Sequence, residues 1–194
     1  MINNIDYTFK IILLGDNCVG KTSLFQSYLY YTNFIGSNND IEDKLIEINN
    51  KLIRINLWNT CASSFPYLSV QHFQAKCTKG VIIVYDITNR QSFDNVVLWY
   101  KEVQLYVDKK AKIILVGNKC EDDSNRNVSI EEGKKLADKF GIKFIETSAK
   151  TNYNVENAFN LLIYDIFDYY ENVEKSNIKV KNDDFINQNS KCYH

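Results

Sequence analysis

Gly15-Asp-Asn-Cys-Val-Gly-Lys-Thr22 follows an apolar run, Phe9-Lys-Ile-Ile-Leu-Leu14, and opens a segment with helical spacing. It fits the pattern G-x-x-x-x-G-K-[ST], and it stands where that pattern needs to stand, with a strand leading in and a helix leading out. In that setting successive backbone N–H groups and the helix N-terminus wrap a diphosphate. Lys21 is then expected to reach the outer phosphates, and the Thr22 hydroxyl to ligate Mg²⁺. A chance glycine turn with a lysine nearby would not carry the flanking strand and helix. The motif does not name the base, because kinases and ATPases use it too.

Further apolar runs of strand length are Gly80–Asp86, Lys112–Gly117 and Ile142–Ile145. Each ends in polar or glycine residues, as strands buried on both faces do. Between Ile41 and Trp58 two alternating stretches flank Asn49-Asn50, which predicts an antiparallel hairpin with a tight turn. Helices are expected from Lys21, over about Gln91 to Val107, from Ser129, and from about Asn154. Ser129-Ile-Glu-Glu132 reads as a capping box and Gly141 as a C-terminal stop. Val155, Phe159, Leu162, Ile163, Ile166 and Phe167 recur at helical spacing and predict a packed face. The alternation gives an α/β fold: a mostly parallel sheet with one antiparallel edge hairpin, covered by helices on both faces. After about Asn172 the sequence turns polar and rich in Asn, Lys and Asp. Residues 1–171 are therefore expected to form one domain and 172–194 a flexible tail.

Composition agrees with one soluble domain. In 194 residues, 45% are hydrophobic and 24% charged, enough for a single well-buried core. A formal net charge of −1 offers no bulk field for nucleic acid or an anionic membrane surface. Cys18, Cys61, Cys77, Cys120 and Cys192 fall at no metal-ligand spacing, and with no signal peptide evident a reducing, cytoplasmic setting is expected. The longest apolar runs, such as Ile11–Leu14 and Val81–Val84, are far too short to span a bilayer.

Two later stretches bear on the base. Val116-Gly-Asn-Lys-Cys-Glu121 and Glu146-Thr-Ser-Ala-Lys150 each follow a predicted strand. Ligands of open α/β sheets bind at such strand ends. In this order, after the phosphate loop, they resemble the small GTPases of the Ras superfamily. The resemblance implies the P-loop GTPase fold with a six-stranded sheet, GTP and GDP as ligands, and Mg²⁺. It implies that Gly15, Asp16, Asn17, Cys18, Val19, Gly20, Lys21 and Thr22 hold the phosphates. Asn118 would bond the purine ring, Lys119 stack over it and Glu121 read its N–H groups. Ser148 would brace the loop, and Ala149, with Lys150 beside it, would meet the base's oxygen.

Leu57-Trp58-Asn59-Thr60, Val84-Tyr-Asp-Ile-Thr88 and Gln91-Ser-Phe-Asp-Asn-Val-Val-Leu-Trp99 are similar to the Rab branch. The likeness covers about Tyr7 to Tyr170 and is weakest from Tyr30 to Lys79. It implies a nucleotide switch in vesicle transport, acting as a monomer with effectors, exchange factors and chaperone-type regulators. Trp58 is either an effector-facing aromatic or a half-buried strand residue.

The family's Asp-x-x-Gly-Gln appears here as Asn59-Thr-Cys-Ala62-Ser63. An aspartate holds a Mg²⁺-bound water through a charged hydrogen bond of roughly 1.5–3 kcal/mol, against about 1 for a neutral one. Ala62 keeps an N–H for the γ-phosphate and loses glycine's freedom. Ser63 is too short to orient the attacking water, so slow or impaired hydrolysis is expected. The first-switch threonine falls near Gly36, with Thr32 and Ser37 the nearest hydroxyls. The usual Rab tyrosine–arginine–glycine wording is missing before Gly80, and Phe73 is the nearest aromatic.

Glu121 replaces an aspartate and carries one extra methylene. A loop shift could restore its reach, or Asp122 could substitute. Cys18 is either a small packing residue or a thiol activated by the helix N-terminus. The sequence closes Lys191-Cys192-Tyr-His194, neither a four-residue prenylation box nor a cysteine pair, and Met1-Ile2 does not suit myristoylation. Attachment to the cytosolic face of a membrane would require lipidation of Cys192, and one lipid chain alone holds marginally. Two other readings stand beside the switch: a pseudo-GTPase that holds nucleotide structurally and scaffolds partners, and a small-metabolite kinase, which lacks an evident lid.

Overall fold

The computed structural model describes residues 4–30, 40–60 and 77–189, with side chains described as far as 173. Six strands form one sheet: β1 (Tyr7–Leu14), β2 (Ile41–Ile48), β3 (Lys51–Asn59), β4 (Thr78–Asp86), β5 (Lys112–Asn118) and β6 (Lys143–Thr147), in the order β2-β3-β1-β4-β5-β6. Among the described strands only β2 runs antiparallel to its neighbour, pairing Ile41 with Trp58 through Ile48 with Lys51. Asn49 and Asn50 make that turn with φ of +51° and +60°. Asparagine tolerates the left-handed region, and two such residues match the twist of a two-residue hairpin.

β1 sits at the centre, and its pleat sorts two cores. Phe9, Ile11 and Leu13 point to one face, joined there by Ile82 and Val84 of β4. Ile12 and Leu14 point to the other, with Val81, Ile83 and Tyr85. The first face is covered by α1 (Lys21–Tyr30) and α5 (Val155–Asn189), the second by α2 (Arg90–Asp94), α3 (Val96–Tyr106) and α4 (Ile130–Phe140). Val155, Phe159, Leu162, Ile163, Ile166 and Phe167 are all buried, so the predicted stripe on α5 is a packed face. Ser129 and Glu132 form the capping box at the start of α4, and Gly141 ends it at φ +67°.

One expectation needs correction. The helix predicted over Gln91 to Val107 is two helices, with Asn95 between them. Asn95 keeps helical dihedrals, but its carbonyl accepts from Leu98 as well as Trp99, which tightens one turn. Its side chain is meanwhile drawn to Asp16, 79 residues away in sequence. α5 runs on past Asn172 to Asn189, into the stretch that the sequence marks as a tail. A helix that is already nucleated and docked propagates cheaply, and no proline intervenes. No helix among the described residues is long and apolar enough to cross a membrane.

Candidate functional site

The carboxyl ends of β1, β3, β4, β5 and β6 converge on one cleft. The loop after β1 needs two glycines for shape. Gly15 has φ +140° and Gly20 φ +95°; a Cβ on Gly15 would strike the Val84 carbonyl, and one on Gly20 the Asn118 amide. Between them Cys18 adopts φ +62° and is exposed. Lys21 opens α1, and only 6% of it is exposed. Its Nζ donates to the Gly15 carbonyl at 2.8 Å and the Asp16 carbonyl at 2.6 Å, so the ammonium is held inside the loop. Asn17, Cys18, Gly20, Lys21 and Thr22 line a cavity of about 560 Å³.

Asp16 does not line that cavity. Its carboxylate accepts from Asn95 Nδ2 and from Trp99 Nε1, both at 2.7 Å, and so pins the phosphate loop to α3. The amino-acid pattern gave no hint of this contact, which joins residues 83 positions apart.

A second cavity of about 610 Å³ adjoins the first along Gly20, Ser23 and Lys119. Asn118, Lys119, Glu121, Ala149 and Lys150 line it, and Tyr30 at the end of α1 does too. Asn118 organises this end and is 1% exposed. Its Nδ2 donates to the Val19 carbonyl at 2.9 Å, and its Oδ1 accepts from the Thr147 hydroxyl and the Ala149 N–H, each at 3.2 Å. Lys119 has φ +68°, and its ammonium pairs with Asp86 at 2.5 Å. Ser148 is fully buried, and its hydroxyl accepts from the Thr151 N–H at 3.0 Å.

Of the two neighbouring carboxylates, Glu121 lines the cavity. Asp122 instead accepts from Asn125 Nδ2 at 2.8 Å, closing the turn Asp123–Asn125. The loop is braced from behind by Arg126, which gives Glu146 two bonds of 2.7 and 3.0 Å. Glu146 and Asp123 raise the Arg126 pKa, Glu146 most, so this brace stays charged. Burial pushes the Cys120 thiol up, which keeps it protonated and unreactive beside the loop.

Asn59 ends β3 beside Thr22. Its Nδ2 donates to Thr22 Oγ1 at 3.1 Å and to Asp40 Oδ1 at 3.2 Å, while its buried Oδ1 has no hydrogen-bond partner among the described residues. The amide nitrogen meets the Thr22 hydroxyl and the oxygen of the same amide is left unused, a donor set that fits a hydrated Mg²⁺, whose waters donate to such oxygens. Thr22 would hold the ion and Asn59 one of its waters. Asp40 is a residue that sequence reasoning missed, since nothing in its spacing marks it. Trp58 is half-buried, with Lys10 Nζ 3.8 Å above its ring and its indole N–H donating to Asn56. Thr32, Gly36, Ser37, Ala62, Ser63, Phe73 and Cys192 lie outside the described residues.

A glycine-shaped loop with a buried lysine, opening into a cleft at the carboxyl edge of a mostly parallel sheet, defines the P-loop class of protein. Residues 10–168 match the model of the Ras family. The chain is 39% identical over 171 residues to the Ras-related protein Rab-8B of Homo sapiens and to Rab-8A of Bos taurus, covering 86% of this chain and 82% of each relative. Rab-8A of Gallus gallus is 38% identical over the same span. The chain belongs to the Ras family and is a Rab-type small GTPase, of the class that acts in vesicle transport. Members of this family bind GTP and GDP with Mg²⁺.

Proposed function

We propose that the cleft binds GTP or GDP with Mg²⁺, and that the protein is a switch whose own hydrolysis is slow. The observation that carries this reading is the junction of the two cavities at Gly20 and Lys119, which puts the space lined by the phosphate-loop residues beside the space lined by Asn118, Glu121 and Ala149. Gly15 to Thr22 would hold the phosphates. Lys21, now bonded to two loop carbonyls, would exchange those acceptors for phosphate oxygens. Asn118, Lys119, Ser148, Ala149 and Lys150 would frame the guanine, with the Glu121 carboxylate on the side of its N–H groups.

Slow hydrolysis follows from residue chemistry. Ser63 lacks the reach to orient water, Ala62 the freedom of glycine, and Asn59 the charge of aspartate. Mg²⁺, when bound, supplies charge stabilisation for the transferring phosphoryl group. Effectors, exchange factors and chaperone-type regulators of Rab proteins are the expected partners. Residence at the cytosolic face of endomembranes would depend on lipidation of Cys192.

Purifying the protein without chelator, denaturing it and separating the released nucleotide tests the assignment. Stoichiometric GDP or GTP is expected, and retained GTP would mark lost hydrolysis. An empty protein that also fails to take up added GDP would overturn it. A second reading, a scaffold that holds nucleotide without switching, is favoured by Asn59, Ala62 and Ser63 together. Partners captured equally by the GDP form and by a form loaded with a non-hydrolysable GTP analogue would support the scaffold; state-dependent capture would support the switch.

A further inference from the structure

Asn59 stands at the point where a carboxylate would ordinarily engage the water shell of the cation, and the structure places a carboxylate one residue contact away. Asp40 lies just ahead of β2, and its main chain is fixed there, because the Asn59 N–H donates to the Asp40 carbonyl at 2.8 Å. Its side chain returns to the same residue, with Oδ1 accepting from Asn59 Nδ2 at 3.2 Å. One amide nitrogen thus serves both Asp40 and the Thr22 hydroxyl oxygen.

This arrangement decides which way the amide faces. A side-chain amide has two nearly isosteric ends, and its orientation is set by its partners. Reversed, Asn59 would set its oxygen against the Asp40 carboxylate at the same separation, two acceptors with no proton between them. The observed orientation leaves Oδ1 as the unused acceptor, on an amide whose nitrogen is 3.1 Å from Thr22 Oγ1. Asn59 is 4% exposed, so the competing water that would blur this preference is largely excluded.

We propose that Asp40 is a positioning residue for the divalent cation: its carboxylate holds the Asn59 amide with Oδ1 free to accept from the cation's water. Two residues then share the task of one aspartate. Asn59 supplies the oxygen, and Asp40 supplies both its orientation and the negative charge, one residue removed from the ion. Outer-shell partners of this kind, which orient an inner group, change metal affinity by about 10–100-fold when removed. The inference rests on the nucleotide reading above, because the cation is held together with phosphate.

The test loads full-length protein with a fluorescent GDP and follows its release as free Mg²⁺ is varied. The readout is the Mg²⁺ concentration that half-protects the nucleotide, a binding quantity independent of hydrolysis. Asp40→Asn removes the charge and, because its own amide can turn either end toward Asn59, the orientation. It is expected to raise that concentration about tenfold. The double variant D40N/N59D returns a carboxylate to position 59 with an amide donor facing it, and is expected to recover the wild-type value or better. A role for Asp40 confined to anchoring β2 would leave the double variant as impaired as the single one, and that result would overturn the inference. So would an Asp40→Asn protein with the wild-type Mg²⁺ response. Wild type that fails to retain GDP at any Mg²⁺ concentration would overturn the nucleotide reading and this inference together.

Discussion

The side-chain amide of Asn118 donates to the Val19 carbonyl at 2.9 Å, tying the base loop to the phosphate loop across 99 positions of sequence. The same side chain accepts from Thr147 and Ala149, so three strand ends share one buried residue. Asn118→Ala removes those partners without changing the backbone. Leaving buried groups unsatisfied costs about 1–3 kcal/mol each, so a loss of about 3 kcal/mol is expected, since neighbours relax. Urea unfolding would measure it, and fluorescent GDP should dissociate faster from the variant.

Asp16 makes a second long-range tie. Trp99→Phe keeps an aromatic ring in the core but removes the Nε1 donor to the Asp16 carboxylate and part of the buried ring volume. A hydrogen bond to a charged group is worth about 1.5–3 kcal/mol, and Asn95 retains its own bond to the same carboxylate. The bond therefore contributes near the lower end, about 1.5 kcal/mol, and the smaller ring about 1–2 more, so a loss of about 3 kcal/mol is expected in denaturant unfolding. A greater one would mean that the phosphate loop itself rearranges.

The parts of the site that sequence reading recovered are those whose chemistry is local. Gly15 and Gly20 are required by backbone conformation within one loop. Asn49-Asn50 and the Ser129–Glu132 box close on themselves within two and three residues. Distant contacts left no periodic trace. Asn95 is bent toward Asp16, and Asp40 meets Asn59 only because β2 folds back on β3. That Asp122 turns to Asn125 while Glu121 lines the cavity likewise follows from a side-chain bond that no spacing marks.

Cys18 is exposed and lines the phosphate cavity, whereas Cys77 is exposed elsewhere. Bound GDP should slow alkylation of Cys18 by iodoacetamide several-fold and leave Cys77 unchanged. Cys120, with its thiol pushed up by burial, should label slowest in either condition. Peptide mass mapping over a time course separates the three sites. Equal labelling of Cys18 with and without GDP would argue against phosphate binding in that cavity.

Glu132 carries the pH dependence that is easiest to isolate. The Arg90 guanidinium, followed by the Ser129 N–H, holds its carboxyl below the ordinary value of 4.5. A carboxyl depressed in the folded state contributes stability above its unfolded pKa and loses it as pH falls through the folded one. Thermal midpoints should therefore drop between about pH 5 and pH 3, and Glu132→Gln should flatten that slope. An unchanged slope in the variant would assign the acid sensitivity to other carboxylates.

Glu121 reaches the base cavity on a side chain one methylene longer than aspartate, and Arg126 behind it holds the loop to Glu146. That brace resists the loop shift a longer side chain needs in order to place both carboxylate oxygens on the two guanine N–H groups. Glu121→Asp should therefore improve the contact. Recovering a charged hydrogen-bond pair of about 2 kcal/mol corresponds to roughly thirtyfold in affinity. The gain should fall on GDP and spare ADP, which lacks the paired donors. Competition of each nucleotide against fluorescent GDP would show it as a wider ratio between the two. Equal affinities in the wild type and the aspartate variant would mean that the glutamate already seats both oxygens. A weaker variant would place the base deeper in the cleft, beyond the reach of the shorter side chain.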